Sequence, residues 1–202
     1  CEVYPARGAT LVTVIAADHP GLFYRTAGGI HLAGANIIDA RIHTSSSGWA
    51  VDNFLVQDPH GRPFEEPQQL DRIEKSIADA LANRVELVPR LARRPLPISR
   101  SHAFDVRPRV SFDHAASGRF TVIEVSARDR PALLNRLARA LFENQLMVHS
   151  AHVTAYGERA VDTFYVTDLL GAKLADKARM AAIEQALLDA ASDQRQAALA
   201  EA

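Results

Sequence analysis

The sequence predicts an α+β protein made of two consecutive βαββαβ units, the second without an obvious final strand. Three observations carry that prediction. Displacing the chain by 111 positions lays Val14, Ala16, Asp18, Pro20, Leu22, Arg25, Ala27 and Ala40 over Val125, Ala127, Asp129, Pro131, Leu133, Arg136, Ala138 and Ala151, and identities recurring at one offset mark a duplication. With one residue fewer, at offset 110, Ala50, Val51, Asp52, Phe54, Val56, Asp58 and Gly61 fall on Ala160, Val161, Asp162, Phe164, Val166, Asp168 and Gly171. The deletion thus lies in a turn. Within each copy the apolar period switches between 2 and 3.6, the spacings of strands and helices.

Each element has its own signal. Val12, Val14 and Ala16 alternate with Leu11, Thr13 and Ile15, a strand over about residues 10–17. Pro20 and Pro131 suit a first helical position, where a missing N–H is harmless. Leu22, Phe23, Ala27, Ile30 and Ala33 then form one helix face with Gly34 as its stop, and Leu133, Leu134, Leu137, Ala138, Leu141 and Phe142 form the counterpart. Asn36–Thr44 with Trp49–Asp58, and Met147–Ala155 with Arg159–Asp168, read as hairpins. In the first of these runs Ile38, Ala40 and Ile42 share one face, and Asp39, Arg41 and His43 the other. Second helices follow on Leu70, Ile73, Ile77 and Leu81, and on Met180, Ile183, Leu187 and Ala191.

The expected organisation is a first unit over 1–83, a Pro- and Arg-bearing linker over 84–104, a closing strand of that first unit within 105–114, a second unit over 115–191 and a tail over 192–202. The second sheet would then show an open edge. Exposed edges invite pairing, so the expectation is that chain from the first unit, the Glu2–Tyr4 segment or another molecule covers it, a homodimer being one way.

The 202 residues carry 23 basic and 24 acidic side chains, a formal net charge of -1. That balance argues against nucleic acid or an anionic membrane as partner. One cysteine, Cys1, cannot form an internal disulfide, which suits a reducing cytoplasm. No apolar run approaches the roughly 20 residues that span a bilayer, no leader is recognisable, and an opening Cys in place of Met suggests a piece of something longer. The histidines are scattered, no metal motif occurs, and Gly28, Gly29 and Gly34 are not followed by the Lys-Ser or Lys-Thr of a phosphate loop. No nucleophile and base stand together, so no catalytic residue is expected in this chain.

The runs DHPGL (Asp18–Leu22) and DRPAL (Asp129–Leu133), each between a strand and a helix, resemble the signature of ACT domains, which are ferredoxin-like. The longer strings YPARGATLVTVIAADHPGLF, GANIIDARIHT, RPRVSFDHAASGRFTVIEVSARDRPALL and GERAVDTFYVTD resemble the C-terminal tandem ACT region of the bacterial bifunctional uridylyltransferase and uridylyl-removing enzymes acting on PII. The resemblance implies a regulatory segment that senses an amino acid, glutamine in that family. It implies catalytic nucleotidyltransferase and HD hydrolase domains upstream, with Mg as the metal of the nucleotidyltransferase, and PII as a partner of the whole. No cofactor is expected in this segment. The candidate ligand residues are Asp18, His19, Gly21, Leu22, Asn36 and Ile37 in copy one, and Asp129, Arg130, Ala132 and Leu133 in copy two. Copy one is expected to be the better site, with Asp18 on the ammonium, the Gly21–Leu22 backbone on the carboxylate and Asn36 on the side-chain amide. Ala132 and Met147 stand at the matching places of copy two.

Simpler roles compete with these. Each Asp could cap its helix, a role worth about 1 kcal/mol. Arg25 with Asp52 and Arg136 with Asp162 could form structural pairs, since buried carboxylates need partners. Among functions, an RNA-binding pair of ferredoxin-like domains is the alternative, with Trp49 and Tyr165 as exposed aromatics, or an ACT regulator of another amino-acid enzyme. RNA-binding sheets usually carry several stacking aromatics.

Overall fold

The structure, a computed structural model, describes residues 1–93, 106–130 and 132–192. The elements in chain order are β1 (Glu2–Tyr4), β2 (Ala9–Ala17), α1 (Leu22–Ala33), β3 (Asn36–Thr44), β4 (Trp49–Gln57), α2 (Pro67–Leu81), α3 (Leu87–Ala92), β5 (Arg109–Asp113), β6 (Thr121–Arg128), α4 (Leu133–Glu143), β7 (Leu146–Tyr156), β8 (Arg159–Asp168) and α5 (Lys177–Ala191). All eight strands join one antiparallel sheet in the order β1-β2-β4-β3-β7-β8-β6-β5.

Strand parity decides which face is covered. Val12, Phe54, Ala40, Val153, Asp162 and Val125 follow one another across the sheet on a single face, and all are buried. The apolar stripes of α1, α2, α4 and α5 pack there, Ile30, Ile73, Leu137, Ile183 and Leu187 being fully buried. Phe23 stacks on Phe54 of its own copy at 6.2 Å and meets Phe164 of the other edge-on at 6.1 Å, so one core runs through both copies.

The copies join where β3 pairs with β7, Ile42 opposite Ala151 and Ala40 opposite Val153. Exchanging the copies maps one of these pairs onto the other, which makes the junction a local two-fold axis centred on Arg41 and its equivalent His152.

The expected closing strand of copy one lies elsewhere. Residues Arg109–Asp113 pair with β6 of copy two at the far edge of the sheet. A seven-residue turn brings this segment back on β6, and a local hairpin closes at far less entropic cost than a long return. Copy one fills its own edge likewise, Glu2–Tyr4 pairing with β2. Each copy therefore runs ββαββα, and the place of a final strand is taken by a strand that precedes the unit. The expected linker is also partly structured, because α3 inserts Leu87, 6% exposed, beneath α1. There the absence of a Cβ on Gly28 matters, since one would stand 3.0 Å from Leu87. The remainder of that linker and the tail beyond residue 192 lie outside the described residues.

Candidate functional site

Two equivalent turns lead from the first strand of each copy into its first helix. The Leu22 amide donates to the His19 carbonyl at 3.1 Å and the Leu133 amide to that of Arg130 at 3.1 Å. Gly21 takes φ 87° and ψ -3°, and Ala132 takes φ 64° and ψ 5°. A proline followed by a residue of positive φ is the type II turn pattern, so Pro20 shapes the turn and does not open the helix, which begins at Leu22. Pro131 lies outside the described residues. Nor do the aspartates cap. Neither helix has a side-chain cap bond, and Asp18 instead accepts the Thr44 hydroxyl at 2.9 Å. The amides of Asp18 and Asp129 donate to the hairpin carbonyls of Gly48 and Glu158, each at 2.8 Å.

Each turn faces a cleft whose opposite wall comes from the other copy. The Asp18 turn looks onto Ala138 and Phe142 of α4 and Leu146, Met147 and Val148 of β7. The Asp129 turn looks onto Ala27 and His31 of α1 and Asn36, Ile37 and Ile38 of β3. By the repeat offset these walls are the same positions, Phe142 for His31 and Met147 for Asn36, with Tyr24 for Asn135 beside each turn. A β-bulge falls at the equivalent place in both walls, between Ile37 and Asp39 and between Val148 and Ser150, and bulges re-aim the strand beside a site.

The two clefts nevertheless differ greatly in size. The Asp129 cleft holds about 390 Å³ and the Asp18 cleft about 20 Å³. The first figure lies in the range of about 300–1,000 Å³ common to small-molecule sites. In the Asp18 cleft Phe142 stacks on Tyr24, centroids 5.7 Å apart, and its ring lies 3.0 Å from where a Cβ on Gly21 would stand. Polar His31 and Asn135 leave the other cleft open, Asn135 donating to the Tyr24 carbonyl at 3.2 Å.

Each cleft has a buried carboxylic acid at its base. Asp52 and Asp162 are both 1% exposed. Neither Asp52 oxygen, and not Oδ1 of Asp162, has a hydrogen-bond partner. Burial, with Asp129 adding repulsion, pushes Asp162 up to about 8. Burial, then Asp18, pushes Asp52 up to about 7, against a moderating approach of the His43 amide. Asp129 is raised as well, by burial, with a hydrogen bond from the Arg130 amide opposing it. The Arg–Asp pairs expected from sequence do not form. Arg25 donates to Asn83 Oδ1 at 2.7 Å and Arg136 to the Ser192 carbonyl at 3.3 Å, both at the ends of the second helices. Asp129 and Asp162 thus lie close enough for one to raise the other.

Residues 116–194 match the ACR family N-terminal ACT domain. This stretch is an ACT domain. The first copy repeats its residues and topology and is an ACT unit of the same kind. The chain is also 75% identical over 199 residues to a bifunctional uridylyltransferase/uridylyl-removing enzyme of Erythrobacter litoralis, covering 98% of this chain and 22% of that protein. To the enzyme of the same description from Novosphingobium aromaticivorans it is 73% identical over 192 residues, covering 95% and 21%. The chain therefore spans about a fifth of the length of the curated relatives it matches. The aspartate kinase structure from Synechocystis aligns with a TM-score of 0.46 at 18% identity, over 89% of this chain and 26% of that one, a likeness too slight to argue from.

All of the candidate residues line the ACT clefts, but not in the grouping expected. Asp18, His19, Gly21 and Leu22 line the small cleft. Asn36 and Ile37 line the large one together with Asp129, Arg130, Ala132 and Leu133 of the other copy. Asn36 and Asp18 thus belong to different clefts, because β3, paired with β4 of its own copy on one edge, pairs with β7 of the other copy on its second edge. His19 Nδ1 lies 2.9 Å from the Pro20 carbonyl, and Arg130 donates to the Ala190 and Ser192 carbonyls at 3.1 and 2.6 Å, holding the end of α5. Sequence reasoning missed His31, Asn135 and Asp162 as one site. The comparison of Tyr24, Phe142 and Met147 with Asn135, His31 and Asn36, polar against apolar at three repeat positions, was the available signal. Among the described residues no group of three or more metal-ligating side chains occurs, and no helix is long and apolar enough to cross a membrane.

Proposed function

We propose that the chain is a regulatory ACT pair that binds one free amino acid, glutamine, in the cleft between the Asp129 turn and the start of β3. The observation that carries this reading is the 390 Å³ cavity built over the buried Asp162, with the exposed Asp129 beside it at the turn into a helix N-terminus. Asp129 and Asp162 receive the ammonium group, whose charge offsets their mutual repulsion. The amides of Leu134 and Asn135 have no acceptor within α4 and suit the carboxylate. Asn36, His31 and the Asn135 side chain supply polar atoms for a side-chain amide. Asp58, which lines the same cavity in an ion pair with Arg62 at 3.0 Å, is an acceptor suited to a side-chain amide and not to a carboxylate.

On this reading the segment is the part through which glutamine controls an attached uridylyltransferase/uridylyl-removing enzyme, with PII as the protein it acts on. A ligand does this only by binding one state of the whole better than another. The RNA-binding alternative has less support. Tyr165 is engaged edge-on by Phe120 and His152 at 6.4 and 6.1 Å, and Trp49 stands on the other copy.

Calorimetry with the 202-residue chain and a panel of amino acids tests the proposal. Saturable glutamine binding at one site per chain, weaker for glutamate and lost in Asp162→Asn, is expected. No saturable amino-acid binding, or binding indifferent to Asp162→Asn, overturns it.

A further inference from the structure

The small cleft retains the acid pair of the large one but not the space beside it. Asp52 is 1% exposed at its base, with both carboxyl oxygens unpartnered. Asp18 lines the same cavity, one oxygen taken by the Thr44 hydroxyl. Among the described residues no ion pair reaches either group, and Arg25 points to Asn83 and the Ala80 carbonyl. His149 of β7 stands in the field of Asp18. Its ring is held by Thr167 at 2.9 Å and by stacking on Phe120 at 4.9 Å, and burial lowers its pKa, which favours the neutral imidazole. A buried carboxylate left without a counter-charge is costly.

The residual space of about 20 Å³ is more than the roughly 10–15 Å³ that one water-sized body needs, and far below what an amino acid needs. Tyr24 and Phe142, stacked on each other, are among the residues that line it, and aromatic rings attract cations. A divalent ion would call for both carboxylates ionised, and burial holds Asp52 toward its neutral acid.

We propose that the small cleft binds a single small monovalent cation, ammonium or potassium, between Asp52 and Asp18. In the large cleft an acid pair would hold the ammonium group of a whole amino acid. Here Phe142 and Met147 occupy the place of the rest of such a ligand, so only the head-group site survives. A proton competes for Asp52, whose value of about 7 leaves the carboxylate available above neutrality.

The test uses the 202-residue chain at about pH 8, with choline chloride holding the ionic strength constant while ammonium or potassium chloride is added. A saturable rise in melting temperature with ammonium or potassium is expected, together with a bound signal in thallium NMR. Both should vanish in Asp52→Asn and persist in Asp162→Asn. Should Asp52→Asn fold poorly, Asp18→Asn serves instead, with an expected weakening of about tenfold. Equal melting in ammonium, potassium and choline overturns the proposal, as does a response that survives Asp52→Asn or disappears in Asp162→Asn. Glutamine titrations run in parallel bear on the large cleft alone, so either reading can fail without the other.

Discussion

The two clefts are built from the same positions of a duplicated sequence, related by a local two-fold axis, yet one is open and the other filled. Three exchanges account for the difference. Where the open cleft has His31, Asn36 and Asn135, the filled one has Phe142, Met147 and Tyr24. Even the glycine takes part. Gly21 looks from sequence like a device for admitting a ligand to the backbone, but the space above it is taken by the Phe142 ring. Duplication thus supplied two equal frames, and side-chain volume decided which one kept a cavity.

The largest expected effect comes from moving the plug. The double variant His31→Phe with Asn36→Met should abolish amino-acid binding while leaving the fold intact, as read by calorimetry and circular dichroism. Retained affinity would show that the cleft walls do not control occupancy.

Next in size is the contrast between the two aspartates. Asp129→Ala removes one partner of a charge-assisted hydrogen bond, a loss of about 1.5–3 kcal/mol, or roughly ten- to 150-fold in affinity. Asp18→Ala should leave glutamine affinity unchanged. If the order is reversed, the ligand lies in the small cleft.

The turn residues offer a comparison in stability. Gly21→Ala places a Cβ at φ 87° and 3.0 Å from Phe142, and the left-handed conformation alone costs roughly 1–2 kcal/mol. Ala132→Gly removes that strain at φ 64° and should stabilise by about 1 kcal/mol, measured by urea unfolding.

A further contrast lies in pH. A carboxyl whose folded value exceeds its unfolded one contributes stability below the unfolded value, lost as pH rises through the folded one. For Asp52 the loss ends near its value of about 7 and for Asp162 near about 8. Unfolding free energy should therefore fall from about pH 4 upward, levelling earlier in Asp162→Asn than in Asp52→Asn. A flat profile in the wild type would mean that both acids are already compensated.

Much of this was legible in one dimension. The strand Arg159–Asp168 and the start of β3 at Asn36 fall where alternation put them, and Gly34 ends α1 with φ 98°. The buried clamp between Thr10 and Phe64, at 2.9 and 2.8 Å, and its repeat between Thr121 and Leu174 at 2.9 Å, gave no local signal, because a threonine in a strand looks the same whether it bonds a distant loop or water.

By itself the sequence determined the duplication, the kind of the strands and helices of each βαββα run, the places of the two Asp turns and the acids at Asp52 and Asp162, but not α3 or the exact start of α1. Those follow from periodicity and turn chemistry, which act over a few residues. Only the tertiary structure decided that Arg109–Asp113 belongs to copy two, that Asn36 serves the Asp129 cleft and that Phe142 fills the other. The first depends on which strand β5 pairs with and the other two on β3 pairing with β7 across more than a hundred residues of chain, and a strand's pattern tells which face it buries without telling which strand will lie beside it.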